Sequence, residues 1–261
     1  MSNFLDIRRD GHVAIVTMNR PETRNAVSDN DAVDALVAMC DAFNRDHSVR
    51  VVVLTGAGTA FSSGGNLKTL RATFGSDSGE PVNARYAYRE GIQRLPLALA
   101  NLEVPVIAAV NGPALGAGND LACTCDIRIA SEKAVFAATF VKLGLIPGDG
   151  GAWLLPRAIG ASRAAELCFT GDTIDAATAR EYGLVSRVVP HDKLLPTALE
   201  LAHRIAANPG HALRMCKRLL KEAQHARLDT ILEMSAGFQA LAHHTAEHEA
   251  ALDGFLSRIK G

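Results

Sequence analysis

The stretch from Val104 to Cys123 constrains the fold most, because an apolar run ends there in a glycine-rich turn and a helix start. Residues 104–110 (VPVIAAV) are long enough for a buried strand. The turn residues 111–113 (NGP) follow, and then residues 116–118 (GAG), whose small side chains leave the backbone open to a ligand. Asp120 falls in the first turn of the predicted helix, near unpaired N–H groups. This pattern suits an oxyanion beside an acid/base group, although close helix–strand packing is an alternative explanation.

Two further turns of small residues follow the same design. Residues 51–54 (VVVL) predict a strand buried on both faces, and residues 61–68 (FSSGGNLK) form a small-residue turn after it. Residues 144–151 (GLIPGDGG) form a third turn, which contains Asp149. Because ligands bind at the carboxyl ends of parallel strands, we expect the first two turns to face one site. Two N–H donors that meet on one oxygen would form an oxyanion hole for an enolate or tetrahedral anion of a thioester or another acyl group.

The order of strand and helix patterns predicts two regions. We expect an α/β core over residues 1–190 and a helical C-terminal region over 191–261, because no strand pattern follows Pro190. Breaks are predicted in that region at Asn208-Pro209-Gly210, near Leu228 and near Gly237. Other predicted elements are strands over 4–8 and 12–18 joined at Asp10-Gly11, a helix over about 29–45 capped by Ser28, a mobile loop over 71–84 and a helix over 86–102.

Composition excludes several classes of protein. The chain has 261 residues, of which 48% are hydrophobic and 21% charged, which argues against disorder. The net charge is −1 and no long basic block occurs, so we expect neither nucleic acid nor an anionic membrane surface as the main partner. The five cysteines are odd in number and lie mostly in apolar segments, which indicates free thiols in a reducing compartment. Without a signal-peptide pattern or a run of membrane-span length, we expect a cytoplasmic protein.

Several familiar sites do not match the sequence. Residues 116–121 begin like a dinucleotide-binding motif but lack its third glycine. There is no P-loop and no Gly-x-Ser-x-Gly hydrolase motif. His244 and His248 lie four residues apart on a predicted helix, but they lack the His-Glu-x-x-His order, so a solvated helix face is favoured and no metal is expected.

Four motifs together resemble the enoyl-CoA hydratase/isomerase (crotonase) family. They are residues 60–68 (AFSSGGNLK), 105–112 (PVIAAVNG), 126–130 (DIRIA) and 143–151 (LGLIPGDGG), and Asn25-Ala26 and residues 177–189 also fit. The resemblance covers nearly the whole chain. It implies a crotonase-like ββα superhelix core and a C-terminal helical region that forms homotrimers or dimers of trimers. It also implies an acyl-CoA thioester as ligand, with coenzyme A as part of the substrate and no separate cofactor.

The resemblance also implies roles for individual residues. The oxyanion donors would be the backbone amides of Gly65 and Ala117. The residues implied for coenzyme A binding are Ser63 at the adenine, Arg24 and Ala26 beside it, Lys68 at a phosphate, and Phe255 and Lys260 on the last helix, which close the site from the same or a neighbouring subunit. For Lys68, an ordinary surface lysine is the alternative. Phe140 and Leu143 are expected to shape the acyl pocket.

The departures from the family pattern bear on the reaction. Hydratases of this family use two glutamates, but this chain has Asp120 at the first position and Phe140 at the second. Asn66 replaces an aspartate of the first motif, which we interpret as a structural change. A dienoyl-CoA isomerase also has aspartate at the position of Asp120. We hypothesise that Asp120 and Asp149 are the acid/base carboxyls, with a helix N-cap as the alternative role for Asp149.

The leading functional prediction is an acyl-CoA enzyme that stabilises a thioester enolate, most simply by adding water to a 2-enoyl-CoA. Isomerisation of an enoyl-CoA or dienoyl-CoA is the first alternative, and hydrolysis of an acyl-CoA is the second. A non-catalytic acyl-CoA-binding subunit is an alternative of another class, which the loss of the second glutamate makes credible. A serine peptidase on a related fold is disfavoured because none of the three turns contains histidine.

Overall fold

The computed structural model describes residues 4–74 and 80–259. Its strands are β1 (Leu5–Asp10), β2 (Val13–Met18), β3 (Val51–Gly56), β4 (Val106–Val110), β5 (Ala114–Leu115), β6 (Ile127–Ser131), β7 (Val135–Ala137), β8 (Thr173–Asp175) and β9 (Arg187–Val189). Its helices are α1 (Asn30–Arg45), α2 (Leu67–Phe74), α3 (Pro81–Glu90), α4 (Arg94–Ala100), α5 (Ala117–Thr124), α6 (Gly151–Ile159), α7 (Ala161–Thr170), α8 (Ala176–Glu181), α9 (Leu194–Ala206), α10 (Gly210–Glu222), α11 (Leu228–His243) and α12 (Ala246–Ile259). Within the described ranges, no helix combines the length and apolarity that a bilayer crossing requires.

The larger sheet has the strand order β1-β2-β3-β4-β6-β9. All neighbours from β2 to β9 are parallel, and only β1 at the edge is antiparallel. The central strands have apolar side chains on both faces, as expected of a parallel sheet covered on both sides. A smaller sheet has the order β5-β7-β8. The carboxyl ends of β3 and β4 therefore meet at one edge, where the first two glycine-rich turns begin.

Helices cover both faces of the larger sheet. On one face, Val52, Leu54 and Ala108 belong to a large core that includes α1, α4 and α5. On the opposite face, Val53 and Ile107 pack against Ala198 of α9. The alternation of side chains along each strand produces these two separate cores. Helix α9 lies in the predicted C-terminal region but packs directly on the sheet.

Helix α10 anchors to the core through buried cations rather than apolar contacts. Arg214 donates to the carbonyls of Phe43 (2.9 Å) and Asp46 (3.0 Å), which lie at the carboxyl end of α1. Lys217 donates to the Val104 carbonyl and forms an ion pair with Asp126, both at 2.7 Å. The carbonyls at a helix end have no partner within the helix and carry its negative pole, so a buried arginine there is well compensated.

Helices α11 and α12, of 16 and 14 residues, have no residue that is buried in the single chain. Arg50 provides one polar link to α12, through a 2.6 Å ion pair with Glu247, and its guanidinium also donates to the Asn208 carbonyl at the end of α9. Many apolar side chains of the two helices are exposed. They are Leu228, Leu232, Leu241, Leu252, Phe255, Leu256 and Ile259.

One predicted turn and one predicted helix cap near the amino terminus were misplaced. The hairpin turn consists of Gly11 and His12, because Asp10 already pairs with Val13. Gly11 has φ +56°, which a hairpin turn of two residues requires at its first position. Ser28 was wrong as the cap of α1. The N-cap residue is Asp29, and the Ser28 hydroxyl instead accepts a hydrogen bond from the Asn66 amide at 2.8 Å.

The segment between the first and second turns is more helical than predicted. The loop expected over residues 71–84 contains the end of α2 and the start of α3, while residues 75–79 lie outside the described ranges. The helix predicted over 86–102 is divided at residues 91–93, and Pro96 lies in the first turn of α4, where its missing amide disrupts no helical hydrogen bond. The predicted break at Gly237 was also wrong, because α11 continues to His243. The breaks at 208–210 and near Leu228 are confirmed.

Candidate functional site

A short parallel bridge joins the first two glycine-rich turns. Ser62 pairs with Ala114, and two 3.0 Å hydrogen bonds run from the Ser62 amide to the Pro113 carbonyl and from the Leu115 amide to the Ser62 carbonyl. Three residues beyond the bridge on each segment lie Gly65 and Ala117. The sheet edge therefore brings these two positions side by side.

Glycine is required at the closest approach of the two turns. Gly64 has φ +81°, and a methyl group on its Cα would lie 2.2 Å from the Leu115 carbonyl oxygen and 2.9 Å from the Ala117 nitrogen. A methyl group at Gly118 would lie 2.4 Å from the Ser62 carbonyl oxygen. Real Cβ atoms do not approach backbone atoms so closely, so any side chain at either position would push the turns apart.

The amides of Gly65 and Ala117 have no hydrogen-bond acceptor within the part of the chain that the structure describes. The amides on either side of Gly65 are satisfied, since Gly64 donates to the Ser62 hydroxyl at 3.1 Å and Asn66 donates to Ser28. Ala117 is the first residue of α5, so its amide lies at the positive pole of that helix. The two amides together can donate to one partly negative oxygen.

Asp120 lies one turn into α5 and is only 2% exposed. Its Oδ2 accepts a 3.0 Å hydrogen bond from the Gly151 amide at the start of α6. A methyl group at Gly151 would lie 2.4 Å from Oδ1 and 2.6 Å from Oδ2, so only glycine permits this contact. Oδ1 has no partner among the described residues, so it is available to a ligand.

Asp149 lies in the third turn, two residues before Gly151, and is 9% exposed. Its Oδ1 is buried without a hydrogen-bond partner in the described ranges. The alternative role as a helix N-cap is wrong, because Gly150 occupies the N-cap of α6 and the first amide of that helix, at Gly151, donates to Asp120 instead. Gly150 has φ +105°, a left-handed conformation that favours glycine at this position.

Both carboxyls hold protons unusually tightly. Burial, followed by the nearby charge of Asp149, raises the pKa of Asp120 to about 7, against the opposing effects of the Gly151 amide and the Asn119 side chain. Burial raises the pKa of Asp149 to about 6. Because the two groups interact, they titrate as a pair that retains one proton near neutral pH. The site can therefore both give and accept a proton.

The raised pKa values predict that the protein loses stability as the pH rises from about 4 to 7. Each carboxyl binds its proton more tightly in the folded chain, so the stabilisation is complete below the unfolded pKa and lost as the pH rises through the folded pKa. Asp149→Asn removes one such group, whose shift from 3.8 to about 6 corresponds to roughly 3 kcal/mol. We expect this variant to unfold at a higher urea concentration than the wild type at about pH 7 and at nearly the same concentration at about pH 4.

Asp41→Asn, which changes an exposed carboxylate on α1, is the control for the urea experiment. Its midpoint should follow that of the wild type at both pH values. If Asp149→Asn raised the urea midpoint equally at both pH values, the result would contradict a buried, protonated Asp149.

The structure separates the two residues predicted for the acyl pocket. Phe140 lies beside the oxyanion turn, since a methyl group at Gly116 would be 3.8 Å from the Phe140 Cζ atom. Its ring thus forms an apolar wall next to the Ala117 amide. Leu143 is more than half exposed at the end of the short helical turn Thr139–Leu143.

The residues predicted for coenzyme A binding fall into two groups. Arg24 and Ser63 lie together, because the Ser63 amide donates to the Arg24 carbonyl at 2.8 Å; Ala26 is buried beside them, and Lys68 is exposed in the first turn of α2. Phe255 lies on α12 and is 57% exposed in the single chain. Lys260 lies outside the described residues.

Two residues near the site have contacts that the sequence motifs did not indicate. Asn66 caps α2, since its Oδ1 accepts from the Lys68 amide at 3.1 Å, and its side-chain amide donates to Asp29. Gly151 donates the backbone hydrogen bond that holds Oδ2 of Asp120. The adjacent glycines 150 and 151 indicate in the sequence that another group comes close to this backbone, but they do not identify that group as Asp120.

The family model for enoyl-CoA hydratase/isomerase matches residues 8–261. A 1,2-epoxyphenylacetyl-CoA isomerase of Escherichia coli strain K12 is 37% identical over 259 residues, which cover 99% of this chain and 97% of that protein. A short-chain-enoyl-CoA hydratase of Clostridium acetobutylicum is 34% identical over 99% of this chain and 96% of its own length. The crystal structure of an enoyl-CoA hydratase from Bacillus anthracis superposes with a TM-score of 0.90, at 36% identity, over 98% of this chain and 96% of that one.

The fold is that of the crotonase-like enzymes, with an α/β core and a C-terminal helical region, and these enzymes act on acyl-CoA thioesters. This chain belongs to the enoyl-CoA hydratase/isomerase family. The family assignment agrees with the resemblance seen in the sequence motifs. The reaction of this member of the family depends on the residues of its site.

Proposed function

We propose that this enzyme binds the thioester oxygen of a 2-enoyl-CoA at the amides of Gly65 and Ala117 and adds water across the double bond. The two amides favour the enolate, in which negative charge develops on that oxygen. The observation that carries the proposal is the pair of buried carboxyls beside two unpaired amides. An oxyanion site together with a retained proton is what enolate chemistry requires.

In the proposed reaction, the ionised member of the carboxyl pair removes a proton from water as the water oxygen bonds to C3. The electron pair of the double bond moves to the thioester oxygen, and collapse of the enolate takes a proton at C2 from the protonated carboxyl. The pKa of both carboxyls is raised, so one member of the pair can hold the proton that C2 receives while the other is ionised. One water is consumed and the carboxyl pair has exchanged its proton.

Double-bond isomerisation is the second candidate, and Phe140 favours it. The apolar ring occupies the position of the second family glutamate and lies beside the oxyanion turn, so it restricts water there. One carboxylate would remove a proton at C2 of a 3-enoyl-CoA and return it at C4, with no change in composition. This reaction needs only one of the two aspartates.

Incubation with crotonyl-CoA and with 3-hexenoyl-CoA distinguishes these reactions. Hydration consumes the absorbance of the conjugated thioester of crotonyl-CoA and adds the mass of one water. Isomerisation creates that absorbance from 3-hexenoyl-CoA at constant mass. Release of the free acid would indicate a hydrolase, and calorimetric binding without any turnover would indicate a non-catalytic acyl-CoA-binding subunit; either result contradicts the proposal.

We further propose that coenzyme A lies along Arg24, Ala26 and Ser63, with Lys68 at a phosphate. The Ser63 amide donates to the Arg24 carbonyl, and Lys68 is an exposed cation on the helix that follows Gly65. A lysine can bind phosphate as a point charge. Phe255 and Lys260 are proposed to close the site from α12. Lys68→Ala should weaken binding of free coenzyme A, and an unchanged affinity would remove Lys68 from the site.

We also propose that α11 and α12 pack on neighbouring copies in a homotrimer or a dimer of trimers. Neither helix has a buried residue in the single chain, and their exposed leucines, Phe255 and Ile259 would otherwise remain in water. Burial of such apolar surface stabilises association. Sedimentation equilibrium should give a trimer or hexamer, and a monomer at micromolar concentration would contradict this assembly.

A further inference from the structure

A cleft of about 510 Å³ opens beyond Asp149, between α3 and the third turn. Apolar surface comes from Leu145, Ile146 and the ring of Tyr88. The polar groups that line it include Gln93, which donates to the Gly148 carbonyl at 3.0 Å and so holds the third turn against the segment between α3 and α4. This hydrogen bond fixes the two walls of the cleft relative to each other.

Two arginines of α3, Arg85 and Arg89, also line this cleft. Over the described ranges, neither guanidinium is within ion-pair distance of a carboxylate, and Arg85 has only a distant contact with the Tyr86 ring, 5.8 Å from its centroid. Arg94, at the start of the next helix, differs because it pairs with Asp34 at 2.6 Å. The cleft therefore concentrates positive charge that the described protein does not neutralise.

The cleft adjoins the carboxyls of the proposed reaction. Gly148 lines it and immediately precedes Asp149, and the Tyr88 ring lies against Gly148, with Cε1 3.8 Å from the position of a methyl group there. Asp120 lies three residues after Ala117 on α5 and accepts a hydrogen bond from Gly151, and Asp149 lies between Gly151 and Gly148 in the sequence. An acyl chain that leaves the thioester past the two aspartates would enter between the apolar wall and the arginines.

We propose that Arg85 and Arg89 bind an anionic group at the far end of the acyl chain, so that the preferred substrates are CoA thioesters of dicarboxylic acids. This inference rests on the proposed function, since it assumes that the thioester oxygen lies at Gly65 and Ala117. Methylene groups of the chain would contact Leu145, Ile146 and Tyr88, and the terminal carboxylate would accept hydrogen bonds from the guanidiniums. Arginine is well suited to this task because its planar group can donate two bonds to one carboxylate.

Calorimetric affinities of saturated thioesters test the inference without dependence on turnover. Hexanedioyl-CoA is compared with hexanoyl-CoA, and octanedioyl-CoA with octanoyl-CoA, on the wild type and on Arg85→Gln/Arg89→Gln. We expect at least one dicarboxylic thioester to bind the wild type about tenfold more tightly than its neutral counterpart, because charge-assisted hydrogen bonds contribute at this level. The double variant should lose that preference and retain its affinity for hexanoyl-CoA.

Arg180→Gln is the matched control, since Arg180 is an exposed arginine on α8 outside the cleft, and it should keep the wild-type preference. Equal wild-type affinity for both members of each pair would overturn the inference. The inference would also be overturned if the double variant bound free coenzyme A and all the thioesters more weakly, and to the same degree. That result would indicate that the arginines contact the coenzyme. Turnover of crotonyl-CoA is measured in a separate assay. Absence of turnover would contradict the proposed reaction, whereas the measured affinities test whether the two arginines bind the far end of the acyl chain.

Discussion

Asp120→Asn should reduce kcat on the accepted enoyl-CoA by roughly 10³-fold, because general acid–base groups contribute about 10²–10⁴ to rate. The amide has nearly the shape of the carboxyl, and its oxygen can still accept the hydrogen bond from the Gly151 amide. Asparagine cannot give or take a proton in this reaction. The loss should therefore appear in kcat, measured by the change in thioester absorbance, rather than in KM.

Coenzyme A affinity and thermal stability serve as the controls for Asp120→Asn. Coenzyme A affinity should stay close to the wild-type value, and stability at neutral pH should rise rather than fall, because a buried, partly ionised group has been removed. Asp41→Asn should leave kcat unchanged. A kcat for Asp120→Asn within about threefold of the wild type would remove Asp120 from proton transfer.

Gly64→Ala is expected to abolish activity and to reduce the free energy of unfolding by about 2–4 kcal/mol. The left-handed backbone contributes about 1 kcal/mol, and overpacking against the Leu115 carbonyl and the Ala117 amide contributes about 1–3 kcal/mol. Any relief of that contact must move the two turns apart. The distance between the Gly65 and Ala117 amides would then no longer match one oxygen, so catalysis is lost even where the fold survives.

Gly144→Ala separates the effect of backbone conformation from that of crowding. Gly144 has φ +69°, but a methyl group there has no neighbour within 4 Å. We expect this variant to lose only about 1 kcal/mol of stability in urea unfolding. If Gly64→Ala and Gly144→Ala lost equal stability, and Gly64→Ala kept its activity, the close approach of the two turns would not be essential.

The close approach of the first two turns could be predicted from the sequence because it depends on positions that only glycine can occupy. Gly64 and Gly118 allow the contact between the two turns, and parallel strands bring the turns to one edge. The strand pattern and the small residues were both visible in the sequence. The close approach thus needed no knowledge of long-range side-chain contacts.

The environment of Asp149 could not be predicted in the same way. An aspartate before Gly150-Gly151 fits a helix cap as well as a buried acid, because both begin with the same local pattern. In the structure Gly150 is the N-cap residue, and the first amide of α6 donates to Asp120, which lies on the distant helix α5. Similarly, Ser28 had the right residue type for a cap, but the tertiary contact with Asn66 engages its hydroxyl.

Arg85 and Arg89 were overlooked because the segment between the first two motifs has a polar composition that is typical of a loop. Helix α3 has no buried residue, so its sequence lacks a strong apolar period. Its position over the third turn depends on Gln93 and Tyr88, which contact Gly148 from a distant part of the chain. Such contacts are absent from local sequence patterns.

The bridge between Ser62 and Ala114 has a consequence for how reactions can diversify on this scaffold. In the proposed reaction, the groups that hold the substrate oxygen belong to the main chain, whereas the groups that carry the proton are the side chains of Asp120 and Asp149. Replacing a carboxyl side chain with a phenyl ring, or placing a carboxyl in the next loop, therefore leaves the anion-binding geometry intact. A single substitution can change the reaction without altering the backbone that stabilises an enolate.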